Sequence, residues 1–361
     1  MAHRPVSGAR GRVPNWLAPR SDADDADNAD REGGVPVSLR ARLLRLLVDV
    51  PEAGILVAVL VLFAALAVAA PNFLSVNNLL SVAQQIAFLG IVATGETFLL
   101  IAGELDLSVG SSYGFLGIVL AWLMVRQNVG LAPAIALTLL AGLAVGAING
   151  LFTTRFRIPS FIVTLGMLGV LRGLALGLAA GLPITLASVD PTFNAVSTGQ
   201  AFGVVPAQAI WLVGVLVAGS VVLALTKFGY AVYATGGDRR SAAQVGIKTG
   251  RVKFYCFLLT QALVAVIAIL SVGWLGSANP LTGQGFELQV IAAVVIGGTS
   301  LFGGAGSVFG TLLGAAVIGM LSNGLILLGL DQYWQQFATG AIIVAAALLN
   351  VTIRGRAVSE P

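Results

Sequence analysis

Glu96, Glu104 and Asp106 are three acids inside or beside long apolar runs. A carboxylate at membrane depth is costly and marks a functional candidate or a paired group. Arg172 is the one basic residue deep in an apolar segment, so an Arg172–acid ion pair is the simplest expectation. A proton or cation relay is the alternative, but a relay generally needs a longer series of ionisable groups. Other chemistries are closed by composition. The single histidine, His3, sits in a polar tail, and the single cysteine, Cys256, sits in an apolar run. That removes Ser-His-Asp catalysis, a cysteine–histidine zinc cluster and an intramolecular disulfide. The glycine-rich stretch GGTSLFGGAG (297–306) resembles a phosphate loop only superficially. Such a loop ends in Gly-Lys-Ser/Thr. Lys227, Lys248 and Lys253 follow Thr226, Ile247 and Val252, so none follows a glycine. The glycines are expected to serve a tight turn or a broken helix.

The elements that must position these groups are membrane helices. Of 361 residues, 57% are hydrophobic and 10% charged, against about 25% charged in a soluble domain. The expected fold class is all-α, a polytopic membrane protein of about ten transmembrane helices. The expected spans are 54–70, 79–101, 110–125, 131–152, 160–180, 208–225, 254–275, 288–297, 307–328 and 335–351. Asn77 and Asn78 are expected to cap the second. Short or broken helices are expected near 103–109 and 297–306, where re-entrant segments are an alternative to simple turns. With both termini cytoplasmic, every Lys and Arg except Arg126 and Arg172 falls on the cytoplasmic side, as topology requires. The high pI, about 9.6, therefore reflects topology rather than nucleic-acid binding. Residues 1–38 are polar and acid-rich and read as a disordered cytoplasmic tail without signal-peptide features. Residues 39–353 form the membrane domain and 354–361 a short cytoplasmic tail. The segments 181–206 and SANPLTGQGF (277–286) are expected as outer loops.

Two further patterns stand out. Gly306, Gly310 and Gly314 are four apart, a spacing that lets a second helix approach closely, either within the chain or at a subunit interface. The longest polar interruption is the basic loop 227–253. Within it, Asp238 is placed to cap a short helix running to Gln244 or Val245, with Gly246 ending it. Arg239 and Arg240 stand at one end of that helix, and Ser241, Ala242 and Ala243 in its middle. Small residues would let it seat in a partner's cleft, with the charges orienting it. The alternative is a solvated loop that only sets topology.

At this point the chain resembles the permease subunit of bacterial ATP-binding-cassette (ABC) importers for monosaccharides, the ribose, xylose, arabinose and galactoside group. The resemblance rests on ETFLLIAGELDLSVGS, RFRIPSFIVTLGML, ATGGDRRSAAQVGI and VIAAVVIGGTSLFGGAGSVFGTLLGAAVIGMLSNGLILLGLDQYWQQFATGAII, in order between about 79 and 351. Two departures are visible. Glu104 stands where the family usually has the second glycine before Ile/Leu-Asp-Leu-Ser-Val-Gly. Ser241-Ala242-Ala243 stands where importers often have Glu-Ala-Ala. The resemblance implies a permease that pairs with a second permease subunit in the lipid bilayer. It also implies a cytoplasmic ABC ATPase, which binds ATP and Mg while this chain binds no cofactor, and an extracytoplasmic sugar-binding protein. Asp238 to Gly246, including Gln244 and Val245, would be the helix that docks on the ATPase. For a hydroxyl-rich solute, Gln84, Gln85, Thr94, Asn149 and Asn323 are candidates for the translocation path on side-chain chemistry. The competing readings are an ABC permease for a non-sugar solute, an ion-coupled secondary transporter resting on Glu96, Glu104, Asp106 and Arg172, and an intramembrane enzyme, disfavoured by the lack of a dense polar cluster.

Overall fold

The computed structural model describes residues 51–201, 205–331 and scattered positions up to 344. The acidic tail, the basic flank at Arg40, Arg42 and Arg45, most of the tenth expected span and the C-terminal tail lie outside the described residues. The helices are α1 (Pro51–Ala69), α2 (Val76–Ile101), α3 (Val109–Val125), α4 (Leu131–Thr154) and α5 (Ser160–Ala179). They continue with α6 (Pro191–Thr198), α7 (Ala207–Leu225), α8 (Lys227–Gly237), α9 (Arg239–Gln244), α10 (Thr249–Leu275), α11 (Phe286–Ile296) and α12 (Val308–Leu327). Seven of these, α1, α2, α4, α5, α7, α10 and α12, are long and apolar enough to cross a membrane, and α3 and α11 are shorter apolar helices. These nine follow the first nine expected spans in order.

Burial sorts the helices into layers. α10 and α12 are mostly enclosed, while α1 buries almost nothing. The main core joins α2, α10, α11 and α12 through residues such as Ile91, Val92, Val264, Ala268, Ala292 and Ile318. Apolar side chains on α1, α5 and α7 face outward, as helices in contact with lipid must. α4 lies against α10 through Gly142, Gly146 and Gly150, a row four apart that the reading of the sequence passed over. A Cβ on Gly146 would lie 2.7 Å from the Phe257 carbonyl oxygen and 3.0 Å from Leu258 Cα. The two backbones therefore meet at a distance only glycine permits.

Several local expectations are corrected. Ser75, not Asn77 or Asn78, caps α2; its hydroxyl accepts from the Asn78 amide at 3.4 Å. The Asn78 side chain instead donates to Phe73 O and exchanges two hydrogen bonds with Asn323 of α12, at 3.1 and 2.9 Å. Polar pairs of this kind fix neighbouring helices. The segment 181–206 is not an open loop. It holds β1 (Ile184–Thr185), α6, β2 (Gln200–Ala201) and β3 (Val205–Pro206). β2 and β3 form a hairpin, and β1 pairs antiparallel with β4 (Ser277–Ala278) just after α10. Asp190 caps α6, with Pro191 in its first turn, where a proline costs nothing. Phe193 and Ser197 then press on Gly273 of α10.

SANPLTGQGF is also more than an outer loop. After β4 the chain runs along α3. Pro280 and Thr282 carbonyls face Gly114, and Gly283 reaches Gly110 at the N-terminal end of α3. The shortness of α11 follows, because the turns of 279–285 already cover part of the distance. The glycine stretch 297–306 that succeeds α11 is a series of turns. Gly306 lies in that loop, ahead of the capping residue Ser307, so it does not share the helix face of Gly310 and Gly314. Those two pack on α11 of the same chain, at the carbonyls of Gly297 and Ala293.

Candidate functional site

The loop 227–253 is almost entirely helical. Thr226 accepts from the Gly229 amide and starts α8, and Asp238 both ends α8 and starts α9. Asp238 Oδ1 accepts from the backbone amides of Arg240 (2.8 Å) and Ser241 (3.2 Å), and Ser241 Oγ donates to Oδ2 at 2.7 Å. These bonds satisfy amides that a helix start otherwise leaves open. They also hold the exposed carboxyl below the ordinary aspartate range, the Ser241 hydroxyl first among the causes. At the other end the Gly246 amide donates to Ala243 O at 3.1 Å, and Gly246 takes φ +88°, which suits glycine.

The faces of α9 are distinct. Ala242 is buried against its own chain, so it is not available to a cleft in another protein. Arg239, Arg240, Ser241, Ala243, Gln244 and Val245 are exposed, and Val245 presents 74% of its surface. α9 is thus a rigid projection with two cations at its start and small and apolar side chains behind them.

Beneath α9 lies a junction made of backbone. Gly236 at the end of α8 sits on the Ile101 carbonyl at the end of α2. The same carbonyl accepts from the Gly304 amide at 2.9 Å, and Gly303 and Gly304 lie on Gly236 and Gly237. The end of α8, the end of α2 and the 297–306 loop are therefore fitted together without intervening side chains.

From this junction the chain turns back between the helices. Gly103, at φ +76°, reverses direction, and residues 104–108 run to the start of α3. Asp106 is completely buried. Its Oδ1 accepts from the Ser108 amide (2.8 Å) and hydroxyl (2.5 Å), and its Oδ2 from Gln261 Nε2 (2.8 Å) and Asn149 Nδ2 (3.2 Å). Its own amide donates to Glu96 Oε1 at 2.9 Å. Leu105 is held by α5, its amide donating to Ser160 Oγ at 3.3 Å. Gln261 lies about 18 Å along α10 from Thr249, so this cluster stands near mid-helix.

The charges inferred from sequence are paired differently than expected. Glu104 bonds Lys253 Nζ at 2.6 Å, the one ion pair among the described residues. Arg172 does not pair with an acid. Its Nη1 donates to the carbonyl oxygens of Pro280 (2.5 Å) and Thr282 (3.0 Å), which clamps the run of turns before α11. An irregular segment has free carbonyls that a regular helix lacks, and the guanidinium takes them. Lys253, Ser108 and Gln261 escaped notice in the sequence. Lys253 resembled one more topology-setting cation, and Gln261 one polar residue in a long apolar run.

The five path candidates do not meet at one place. Asn149 joins Asp106, and Asn323 is tied to Asn78. Thr94 bonds back to Gly90 O at 2.8 Å and borders an apolar hollow of about 140 Å³ with Phe98, Val215, Gly219 and Leu263. Gln84 and Gln85 are half-buried on α2, well before Glu96.

Residues 78–347 match the protein family described as the branched-chain amino acid transport system / permease component. The chain belongs to this permease family. It is 39% identical to the probable ABC transporter permease protein YphD of Escherichia coli over 323 residues, covering 90% of this chain and 95% of that one. Identity to the ribose import permease protein RbsC of E. coli is 36%, over 82% and 92% of the two chains. The autoinducer 2 import system permease protein LsrC of Yersinia pseudotuberculosis is 32% identical, over 86% and 88%. No solved structure matches. The permease is thus a multi-pass membrane component of an ABC importer, not an enzyme, and it works with an ATPase and a solute-binding protein.

Proposed function

We propose that the permease translocates a monosaccharide or a closely related sugar derivative between two permease subunits. In this reading α9 seats in a cleft of the ATPase, and closure of the ATPase halves on ATP drives the helices between two states. The ribose and autoinducer-2 names of the relatives support the substrate class. The observation that carries the docking role is α9 itself: capped at both ends, projecting, and exposing Arg239, Arg240, Ala243 and Val245. A loop that served topology alone would need the charges but not the caps. Two copies are proposed to pair, as the resemblance implies, and a homodimer is the simplest form. Residues 1–38 and 354–361 are proposed as cytoplasmic tails of the 39–353 membrane domain. Gln84, Gln85 and Thr94 remain the proposed path residues; Asn149 and Asn323 are bound to partners within the chain and contribute indirectly.

The test is Ala243→Arg in the assembled importer. It is expected to abolish sugar uptake and co-purification of the ATPase while membrane insertion is unchanged. Normal uptake by this variant would overturn the docking assignment. Because the family's description names branched-chain amino acids, labelled leucine belongs beside labelled ribose in the uptake assay; leucine uptake alone would overturn the substrate class.

A further inference from the structure

Two residues of a single helix bond the broken segment 104–108. Glu104 bonds Lys253 at 2.6 Å, and two residues on, Asp106 bonds Gln261 at 2.8 Å. Lys253 and Gln261 both belong to α10, about 12 Å apart along its axis. α10 in turn begins at Thr249, four residues after Val245, the C-cap of α9, and Ile247 N donates to Ala242 O at 3.0 Å across that short link. The Glu104 and Lys253 side chains are 13% and 10% exposed, so water screens the pair little. The segment is otherwise irregular chain whose backbone is bonded to α2 at Glu104 N (to Leu99 O) and Asp106 N (to Glu96 Oε1), and to α5 at Leu105 N (to Ser160 Oγ) and Leu105 O (from Thr164 Oγ1). A short irregular segment held at one point on a helix can pivot; held at two points it follows that helix more closely.

We infer that the Glu104–Lys253 pair is a positioning strut that makes the broken segment before α3 follow α10, so that displacement of α9 reaches the buried Asp106 cluster and α3. This rests on the reading of α9 as the ATPase contact. Without Glu104, the lower end of the segment is free to stay with α2 while α10 shifts, and ATP is hydrolysed without complete rearrangement of α3. Neither residue touches solute or nucleotide; both act through the segment.

The experiment uses the importer reconstituted in proteoliposomes with its ATPase and binding protein. Three quantities are read for each variant: ATPase retained on the permease, ATP hydrolysed, and labelled sugar taken up. Glu104→Gln and Lys253→Met are each expected to retain the ATPase and its hydrolysis but to lower sugar moved per ATP about tenfold, an ordinary size for coupling between distant sites. The double variant Glu104→Lys, Lys253→Glu restores the pair with reversed charge and is expected to recover most of the ratio. Glu104→Asp, which keeps the charge on a shorter stem, is expected to fall between and serves if a neutral variant fails to accumulate. An unchanged ratio in the single variants overturns the inference. So does loss of the ATPase from them, which would make the pair part of the docking surface, or failure of the double variant to recover while it folds. Failure of the underlying reading is separate: there, Ala243→Arg leaves the ATPase bound.

Discussion

Asp106 receives four hydrogen bonds from Ser108, Asn149 and Gln261 in a site closed to solvent. Asp106→Asn puts an amide donor where one acceptor oxygen faces two side-chain amides. The cost is expected to be about 2–3 kcal/mol, read as a lower midpoint in thermal unfolding of the detergent-solubilised protein. Asp106→Glu keeps the charge but adds a methylene to a packed site and is expected to cost a similar amount. At Asp238 the outcome differs because the group is exposed. Asp238→Ala removes the cap and is expected to weaken ATPase association severalfold; Asp238→Asn keeps an acceptor and is expected to weaken it less. The Asp238 carboxyl is held low in the folded chain. Its stabilising effect is therefore complete above the unfolded value, about 3.9, and fades only as pH falls through the lower folded value. ATPase association compared between wild type and Asp238→Asn should give parallel profiles from about pH 5 to 8. At this scale the sequence showed which residues were unusual, including Glu104, Asp106 and the Asp238 cap, but not their partners. Glu104 and Lys253 are 149 positions apart, and nothing local sets them off from charges that do not meet. Arg172 was assigned to an acid because carbonyls freed by an irregular segment cannot be seen until that segment is known to be irregular.

Between elements, glycine decides how near the helices come. Gly142, Gly146 and Gly150 let α4 meet α10 at backbone distance. Gly146→Leu is expected to cost about 1–3 kcal/mol by overpacking and to lower both the unfolding midpoint and uptake. Gly214→Leu on α7, where a Cβ meets nothing within 4 Å, is the matched control and is expected to leave the midpoint nearly unchanged. The long helices were legible because their apolar runs are close to bilayer length and leave no other stable structure. The packing of the turns 279–285 against α3 was not. Pro280, Gly283 and Gly285 mark a turn as readily outside a membrane as beside α3, and local composition does not separate the two. The helical content of 227–253 was half visible. Asp238 and Gly246 bracket α9, but α8 and the first turn of α10 carry charges that obscured their helical runs.

Across the whole molecule, a projecting capped helix, a backbone junction beneath it and a broken segment that ends at a buried acid near the middle of α10 follow one another. That sequence of contacts suits a machine driven from outside itself, and the chain has no phosphate loop of its own. An ion-coupled carrier would need its acids open to the path. Here Asp106 is enclosed and fully bonded, Glu104 is committed to Lys253, and Glu96 is buried, one oxygen accepting from the Asp106 amide and the other without a partner among the described residues. The most direct measurement is uptake of labelled ribose into proteoliposomes containing this permease, with and without its ATPase, ATP and the loaded binding protein. The account predicts uptake only when all three are present, undiminished by an uncoupler that dissipates ion gradients. Uptake by the permease alone, abolished by that uncoupler, would contradict it.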